Sequence, residues 1–144
     1  MGKSDSGKFT LIHILALLDS STKGVVFIDG INTSHLPVKQ LDLLRNQRFG
    51  FVFQQFFLNA NRSVLKNAVL PLKIAGVPAN ERRDRGLAVL KAVGIEEKAL
   101  NKANDLSSGQ KQHVVIARAL INDLQVIFAD EPTGNLDSQT GAAV

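Results

Sequence analysis

A glycine-rich segment at the start of the chain constrains the fold more than any other feature. The segment Gly2–Thr10 reads "GKSDSGKFT" and nearly matches the phosphate-binding pattern G-x-x-x-x-G-K-[ST], with Gly2, Gly7 and Lys8 in place. Glycines let backbone N–H groups point at phosphate oxygens, and the following helix turns its positive end toward the same charge. The pattern favours a phosphate-binding loop that leads into a helix, and the alternative interpretation is an ordinary glycine-rich turn.

The composition indicates one globular domain. Of the 144 residues, 44% are hydrophobic and 21% are charged, which is enough apolar material for a core. The net charge is +4, but the basic residues are interleaved with acids, as in "NERRDRG", so we expect a solvated surface and no nucleic-acid partner. The absence of Cys excludes disulfides and thiolate metal sites. The apolar run Leu11–Leu18 is too short to span a bilayer, so a membrane link is expected to come through a partner.

Hydrophobic spacing predicts strands near both ends and helices between them. The predicted strands lie within Gly24–Gly30, Phe49–Phe56 and Leu124–Asp130, the last of a buried type, and the predicted helices begin after Lys8 and cover Val38–Asn46, Ser63–Ile74, Asn80–Val93 and Ser107–Ile121. Pro71 is expected to break or kink its helix, and Asn80 is expected to cap the next one. This order indicates an α/β core interrupted by a helical insertion.

The segment Val126–Asp137, "VIFADEPTGNLD", is a candidate catalytic element. An apolar strand that ends at Asp130 would present a carboxylate suited to holding Mg²⁺ in a phosphate-loop enzyme. The adjacent Glu131 is placed to accept a proton from an attacking water. The alternative is an acidic helix cap after a core strand.

A third segment, Leu106–Leu120, opens a predicted helix with small residues. Ser107, Ser108 and Gly109 leave the backbone N–H groups of the first turn accessible, which makes a second anion-binding helix end. Taken alone, this segment is better explained as a simple serine cap with a glycine nearby. The three histidines show no metal-ligand spacing, and His113 is expected to be a surface residue of this helix.

These segments occur in the order of the motifs of ABC transporter ATP-binding subunits, and the chain resembles that family from residue 2 to its end. Gly2–Phe9 looks like the Walker A motif, Gln54 like the Q-loop glutamine, Leu106–Gln110 like the LSGGQ signature, Val126–Glu131 like Walker B, and Asn135–Asp137 like the D-loop. The strings "FVFQQF", "LPL" and "DEPTGNLDS" are most similar to the lipoprotein-release and macrolide-export branch.

The resemblance implies a P-loop NTPase fold of the α/β class with an inserted helical subdomain and an incomplete sheet. Residues 1–56 and 122–144 would form the nucleotide-binding core, and residues 57–121 the helical subdomain with the signature. Two such domains would pair head to tail around two ATP molecules, each held between one Walker A motif and the other subunit's signature. ATP hydrolysis would power transport through transmembrane permease subunits, with the chain on the cytoplasmic, inner face of the membrane.

The resemblance also implies roles for individual residues. Glu131 would be the general base, Asp130 and Gln54 would hold Mg²⁺, and Gln54 would sense the attacking water and couple the site to the permease. The implied ATP contacts are Gly2, Lys3, Ser4, Asp5, Ser6, Gly7, Lys8, Phe9 and Thr10 of the loop, and Ser107, Ser108, Gly109 and Gln110 of the signature.

Three substitutions depart from the family pattern. Phe9 replaces the hydroxyl residue that ligates Mg²⁺, and Thr10 is rotated by about 100° along a helix, so its hydroxyl does not take the same place. Asp5 replaces a glycine, and its charge near a triphosphate is unfavourable by about 1–4 kcal/mol at ~4 Å. Ser108 replaces the first glycine of the signature pair, where its Cβ would crowd the partner's γ-phosphate.

The chain ends also differ from the family. No strand precedes the loop, no Tyr or Trp is present to stack on adenine, and no switch-loop histidine follows Walker B. We therefore expect strands with exposed apolar edges. One hypothesis remains an ATP-hydrolysing transporter subunit. The other is a truncated, degenerate remnant that binds nucleotide weakly or not at all and does not hydrolyse it. A repair-type ABC ATPase is disfavoured because the span from Gln54 to Ser107 has no room for a long coiled coil.

Overall fold

The computed structural model describes residues 7–53, 55–122, 124 and 126–129. Two pairs of short strands and a set of helices make up this part of the chain. The helices are α1 (Lys8–Leu15), α2 (Val38–Arg48), α3 (Val64–Ala68), α4 (Leu70–Ile74), α5 (Ala79–Ala92) and α6 (Ser108–Leu120), the strands are β1 (Phe27–Ile28), β2 (Ile31–Asn32), β3 (Phe49–Val52) and β4 (Val126–Ala129), and single 3₁₀ turns span Glu96–Lys98 and Ala103–Asp105.

Strands β3 and β4 form a parallel pair although a long helical stretch separates them in sequence. Phe49 pairs with Val126 at one end of the ladder, and Val52 pairs with Ala129 at the other. Parallel strands need a crossover connection, and the segment from α3 to α6 supplies it here. The shorter strands β1 and β2 form an antiparallel hairpin.

Helices α3, α5 and α6 enclose a core around fully buried aliphatic side chains. Val64 of α3, Leu90 of α5 and Val114 of α6 each have no exposed surface. The opposite side of α6 packs on the sheet, where Val115 contacts a second cluster that includes Val52 of β3. Helix α6 therefore joins the helical cluster to the parallel strands.

Gly50 permits a close approach between β3 and α6. A Cβ atom built on Gly50 would lie 2.6 Å from the carbonyl oxygen of Ala119. This separation is shorter than any side chain tolerates, and the neighbouring atom belongs to backbone. Only glycine fits here without moving the strand or the helix.

Two predicted helix boundaries and one burial prediction are wrong. Helix α5 begins at Ala79 with Pro78 in the cap position, so Asn80 lies inside the first turn and is not the cap. The break between α3 and α4 falls at Val69, and Pro71 occupies the first turn of α4, where its missing N–H is tolerated. Strand β4 is not buried.

Strand β4 lies at an exposed edge of the parallel pair. Val126 and Ile127 are 43% and 41% exposed, and β3 is the one strand that pairs with β4 within the described residues. This agrees with the expectation of apolar strand edges. Among the described helices, none combines the length and the apolar character needed to cross a bilayer.

Candidate nucleotide-binding site

A hydrogen-bonded cap fixes the start of α6, the helix that carries the signature-like segment. The Ser107 side-chain oxygen accepts a hydrogen bond from the Gln110 backbone N–H at 3.2 Å. In return, the Ser107 backbone N–H donates to Oε1 of Gln110 at 3.0 Å. This reciprocal capping box sets the direction in which the first turn of α6 points.

The capping box leaves hydrogen-bond donors available at the helix end. The backbone N–H groups of Ser108 and Gly109 lie in the first turn, so they have no acceptor within α6. Ser107 uses its hydroxyl oxygen as an acceptor, so the hydroxyl hydrogen remains able to donate. Ser107 and Ser108 are exposed, and the helix dipole adds positive potential at the same place. The arrangement suits a phosphate group.

Gly7 begins α1 in a conformation that few other residues adopt. Its φ of 74° lies in the left-handed region, and its carbonyl accepts the first intrahelical hydrogen bond, from the Leu11 N–H at 3.0 Å. Lys8 and Phe9 follow in the first turn of α1, and Thr10 is exposed. The described residues therefore show a helix that begins directly after Gly7, as the predicted phosphate-binding unit requires.

Several predicted site residues lie outside the described residues. They are Gly2, Lys3, Ser4, Asp5, Ser6, Gln54, Asp130 and Glu131, together with the D-loop-like Asn135–Asp137, and the predictions about the side chains of Lys8 and Phe9 share this status. Their roles stay predictions. The described residues do show that β3 and β4 end together at the Val52–Ala129 pair, shortly before Gln54 and Asp130 in sequence.

Sequence reasoning missed a contact between α6 and the segment that follows Gln54. Nη1 of Arg118 donates to the carbonyl oxygen of Phe57 at 2.9 Å, and Nη2 donates to that of Phe56 at 3.1 Å. Burial lowers the pKa of the Arg118 guanidinium from its ordinary value. The sequence signal for this contact was an arginine between two alanines, Ala117 and Ala119, near the end of a predicted apolar helix.

Two other features do not belong to a nucleotide site. A cleft of about 480 Å³ opens between α2, β3 and α4, with a mainly apolar lining that includes Phe49, Phe51 and Ile74 and none of the described motif residues. His113 is half-buried, and its Nε2 is enclosed with no hydrogen-bond partner among the described residues, so its prediction as a surface residue is wrong. No group of three potential metal-ligating side chains occurs in the described part of the chain.

A parallel sheet, a helix that begins after a glycine-rich loop, and an inserted helical subdomain define a P-loop NTPase fold. The family model described as ABC transporter matches residues 1–134. The chain therefore belongs to the ABC transporter family, as its motifs predict.

Individual relatives are similar along nearly the whole chain. An uncharacterized ABC transporter ATP-binding protein of Thermotoga maritima is 48% identical over 144 residues, which are all of this chain and 62% of the relative. The lipoprotein-releasing system ATP-binding protein LolD of Aquifex aeolicus is 46% identical over 138 residues, 96% of this chain and 62% of LolD. The macrolide export protein MacB of Aggregatibacter actinomycetemcomitans is 46% identical over 144 residues, 22% of its length.

A solved structure shows the same fold at high similarity. The dimeric ATP-binding cassette MJ0796, in a post-hydrolysis state bound to ADP and Pi, matches with a TM-score of 0.90 and 45% identity. The match covers 99% of this chain and 63% of the cassette. The chain thus spans somewhat less than two thirds of the length of the ATP-binding proteins that it resembles.

Proposed function

We propose that the chain acts as the ATP-binding subunit of an ABC transporter, binding and hydrolysing ATP to power transport across a membrane. The observation that carries this proposal is the preformed end of α6. Ser107 and Gln110 lock the first turn, which leaves the Ser107 hydroxyl and the backbone N–H groups of Ser108 and Gly109 as donors without an acceptor within α6. Fixed donors near a helix N-terminus stabilise phosphate without reorganisation cost during reaction.

The proposed site is shared between two copies of the chain or between it and a second ABC ATPase subunit. The loop Gly2–Thr10 of one subunit would hold the triphosphate, with Lys8 at the outer phosphates. The Ser107–Gln110 end of the other subunit would face the γ-phosphate. The similarity to MJ0796, which is dimeric and bound to ADP and Pi, supports pairing of two such subunits.

Magnesium fits the proposed donor set only in part. The Asp130 carboxylate and the Gln54 amide oxygen are the hard oxygen donors that Mg²⁺ prefers, whereas Phe9 has no oxygen to offer. Magnesium would neutralise charge on the phosphates. Glu131 would accept a proton from the attacking water. We expect weaker Mg²⁺ affinity than a hydroxyl residue at position 9 would give.

The proposal includes an arrangement at the membrane. Residues 1–56 and 122–144 would form the nucleotide-binding part and residues 57–121 the helical subdomain. Transmembrane permease subunits would contact the chain on the cytoplasmic face of the membrane. The similarity to LolD and to MacB, an ATP-binding/permease protein by its name, supports such a partner.

The comparisons do not favour the remnant hypothesis. The signature end keeps its full capping box despite Ser108, and identity to the relatives extends over the whole chain. Nucleotide binding tests the choice directly. Titrating the purified chain with a fluorescent ATP analogue should give saturable binding that unlabelled ATP displaces.

The informative variants change the loop. Lys8→Ala should weaken binding at least tenfold, and Lys91→Ala, at an exposed position of α5, is the matched control that should leave binding unchanged. Phe9→Ser combined with Asp5→Gly should strengthen Mg²⁺-dependent binding. Binding that is absent in the wild-type chain and in the double variant would overturn the proposal.

A further inference from the structure

Arg118 connects two segments that are distant in sequence. It lies near the end of α6, and its guanidinium spans to two consecutive carbonyl oxygens, those of Phe56 and Phe57. Both contacts are within ordinary hydrogen-bond distance, at 3.1 and 2.9 Å. The planar guanidinium presents two N–H donors along one edge, which fits two neighbouring acceptors, whereas an ammonium group has no such fixed pair.

The surroundings of Arg118 make its charge depend on these two carbonyl oxygens. The guanidinium is partly buried, and the lowered pKa of Arg118 reflects the lost hydration of its charge. No ion pair with Arg118 occurs among the described residues, so the two carbonyls are the acceptors that the structure shows for its charge. A buried cation without these acceptors would be unfavourable, so the contact is expected to persist.

The segment that Arg118 holds is backbone under strain. Phe57 has a φ of 45°, in the left-handed region that bulky residues avoid, and the residue is 65% exposed. The ring meets Phe53 edge to face at 5.8 Å, while the carbonyl points to Arg118. Such a conformation persists where the surrounding structure fixes it.

A second contact joins the same two parts of the fold. Ala119, the neighbour of Arg118, presents its carbonyl to Gly50 of β3 at a distance that leaves no space for a side chain. Gly50 and Phe57 lie on either side of Gln54 in sequence. Helix α6 therefore contacts the chain both before and after Gln54, and it begins at the signature.

We propose that Arg118 is a positioning residue that holds the segment after Gln54 to α6, so that the Gln54 loop and the signature end respond to nucleotide as one unit. This inference rests on the proposed function. Arg118 would act through the backbone of Phe56 and Phe57, without touching ATP. Its loss is expected to lower the rate of hydrolysis more than the affinity for ATP.

Limited proteolysis tests the contact between Arg118 and the Phe56–Phe57 backbone directly, and it does not require nucleotide. Chymotrypsin cleaves after phenylalanine, at the carbonyls that Arg118 holds. Arg118→Met should accelerate cleavage after Phe56 and Phe57 at least tenfold, as measured by mass spectrometry of the fragments. Arg118→Lys should lie between Met and wild type, because one ammonium group keeps part of the hydrogen bonding. Arg83→Met, at an exposed position of α5, is the matched control and should not change this cleavage.

A parallel digestion separates a local effect from unfolding. Lys91 lies in the last turn of α5, away from the Arg118 contact in sequence. Trypsin cleavage after Lys91 should proceed at the wild-type rate in Arg118→Met. Unchanged chymotrypsin cleavage after Phe56 and Phe57 would overturn the proposal. So would equal acceleration after Phe57 and Lys91, since that pattern indicates general unfolding.

Steady-state hydrolysis of MgATP tests the positioning role. Arg118→Met should lower kcat at least tenfold and change KM less than threefold, with Arg118→Lys intermediate and Arg83→Met unchanged. A rise in KM at constant kcat would contradict the role. A wild-type chain that hydrolyses no ATP would overturn the proposed function and the role in hydrolysis together, whereas the proteolysis result would still show whether the contact exists.

Discussion

The close approach of β3 and α6 at Gly50 gives the sharpest prediction about stability. An added Cβ would lie 2.6 Å from the Ala119 oxygen and 3.3 Å from both the Ala119 carbonyl carbon and Cβ. To reach ordinary contact at 3.4 Å, the strand and the helix must separate by about 0.8 Å. Because the nearest atom is backbone in a helix, no side-chain rotation relieves the overlap.

Two opposing effects determine the size of the change in Gly50→Ala. Overpacking of a well-packed core typically costs about 1–3 kcal/mol. Replacing glycine by alanine within a strand is by itself favourable by roughly 0.5–1 kcal/mol, because the unfolded chain loses freedom. Taking the middle of each range, we expect Gly50→Ala to lower the free energy of unfolding by about 1 kcal/mol.

Equilibrium unfolding in urea, followed by far-ultraviolet circular dichroism, measures this change. Gly86→Ala is the comparison, because its new Cβ would meet side-chain atoms, Cδ1 of Leu65 and Cγ1 of Val69, and no backbone atom. The Leu65 end can rotate away while the β-branched Val69 is stiff, so the loss should not exceed that of Gly50→Ala. Adding Ala119→Gly to Gly50→Ala should not restore stability, since the carbonyl oxygen remains. A neutral or stabilising Gly50→Ala would show that β3 and α6 accommodate the added Cβ without cost.

Three further substitutions test the core and the caps by the same unfolding assay. Leu90→Ala empties a fully buried position between α3, α5 and α6 and should lower stability by about 2–5 kcal/mol; a loss below 1 kcal/mol would argue against this core. Asn67→Ala removes a buried amide that accepts a hydrogen bond from the Asn59 N–H at 2.8 Å and donates to the Asn59 and Ser63 carbonyls. The expected loss of stability is about 1–3 kcal/mol. An unchanged unfolding midpoint would contradict these hydrogen bonds. Ser107→Ala removes the cap of α6 for about 1 kcal/mol, whereas Ser107→Asp should retain most of the stability.

The sequence predicted helix α6, its Ser107 cap and strand β3 because neighbouring residues determine each of them. The apolar spacing of α6 and the small residues before it predicted both the helix and the Ser107 cap, because helix periodicity and capping depend on neighbouring residues. The run that became β3 was predicted for the same reason. The order of the motifs predicted the family, which the match to residues 1–134 confirms.

The errors arose where local rules compete or where tertiary contacts decide. Asn80 is a good cap residue, but Pro78 fixes the backbone two positions earlier and the helix starts from there. Strand β4 has the composition of a buried strand, yet its exposure depends on which strands lie beside it. The contact of Arg118 with Phe56 and Phe57 joins residues about sixty positions apart, and no periodicity encodes such a contact.

The central claim is that two subunits form an ATP-hydrolysing site from the loop of one and the signature end of the other. MgATP turnover per subunit, measured over a range of protein concentrations, tests it most directly. We expect turnover per subunit to rise with concentration as pairs form, and Glu131→Gln to abolish it. Turnover that is independent of concentration, unaffected by Glu131→Gln, or absent in the wild-type chain would exclude such a shared site.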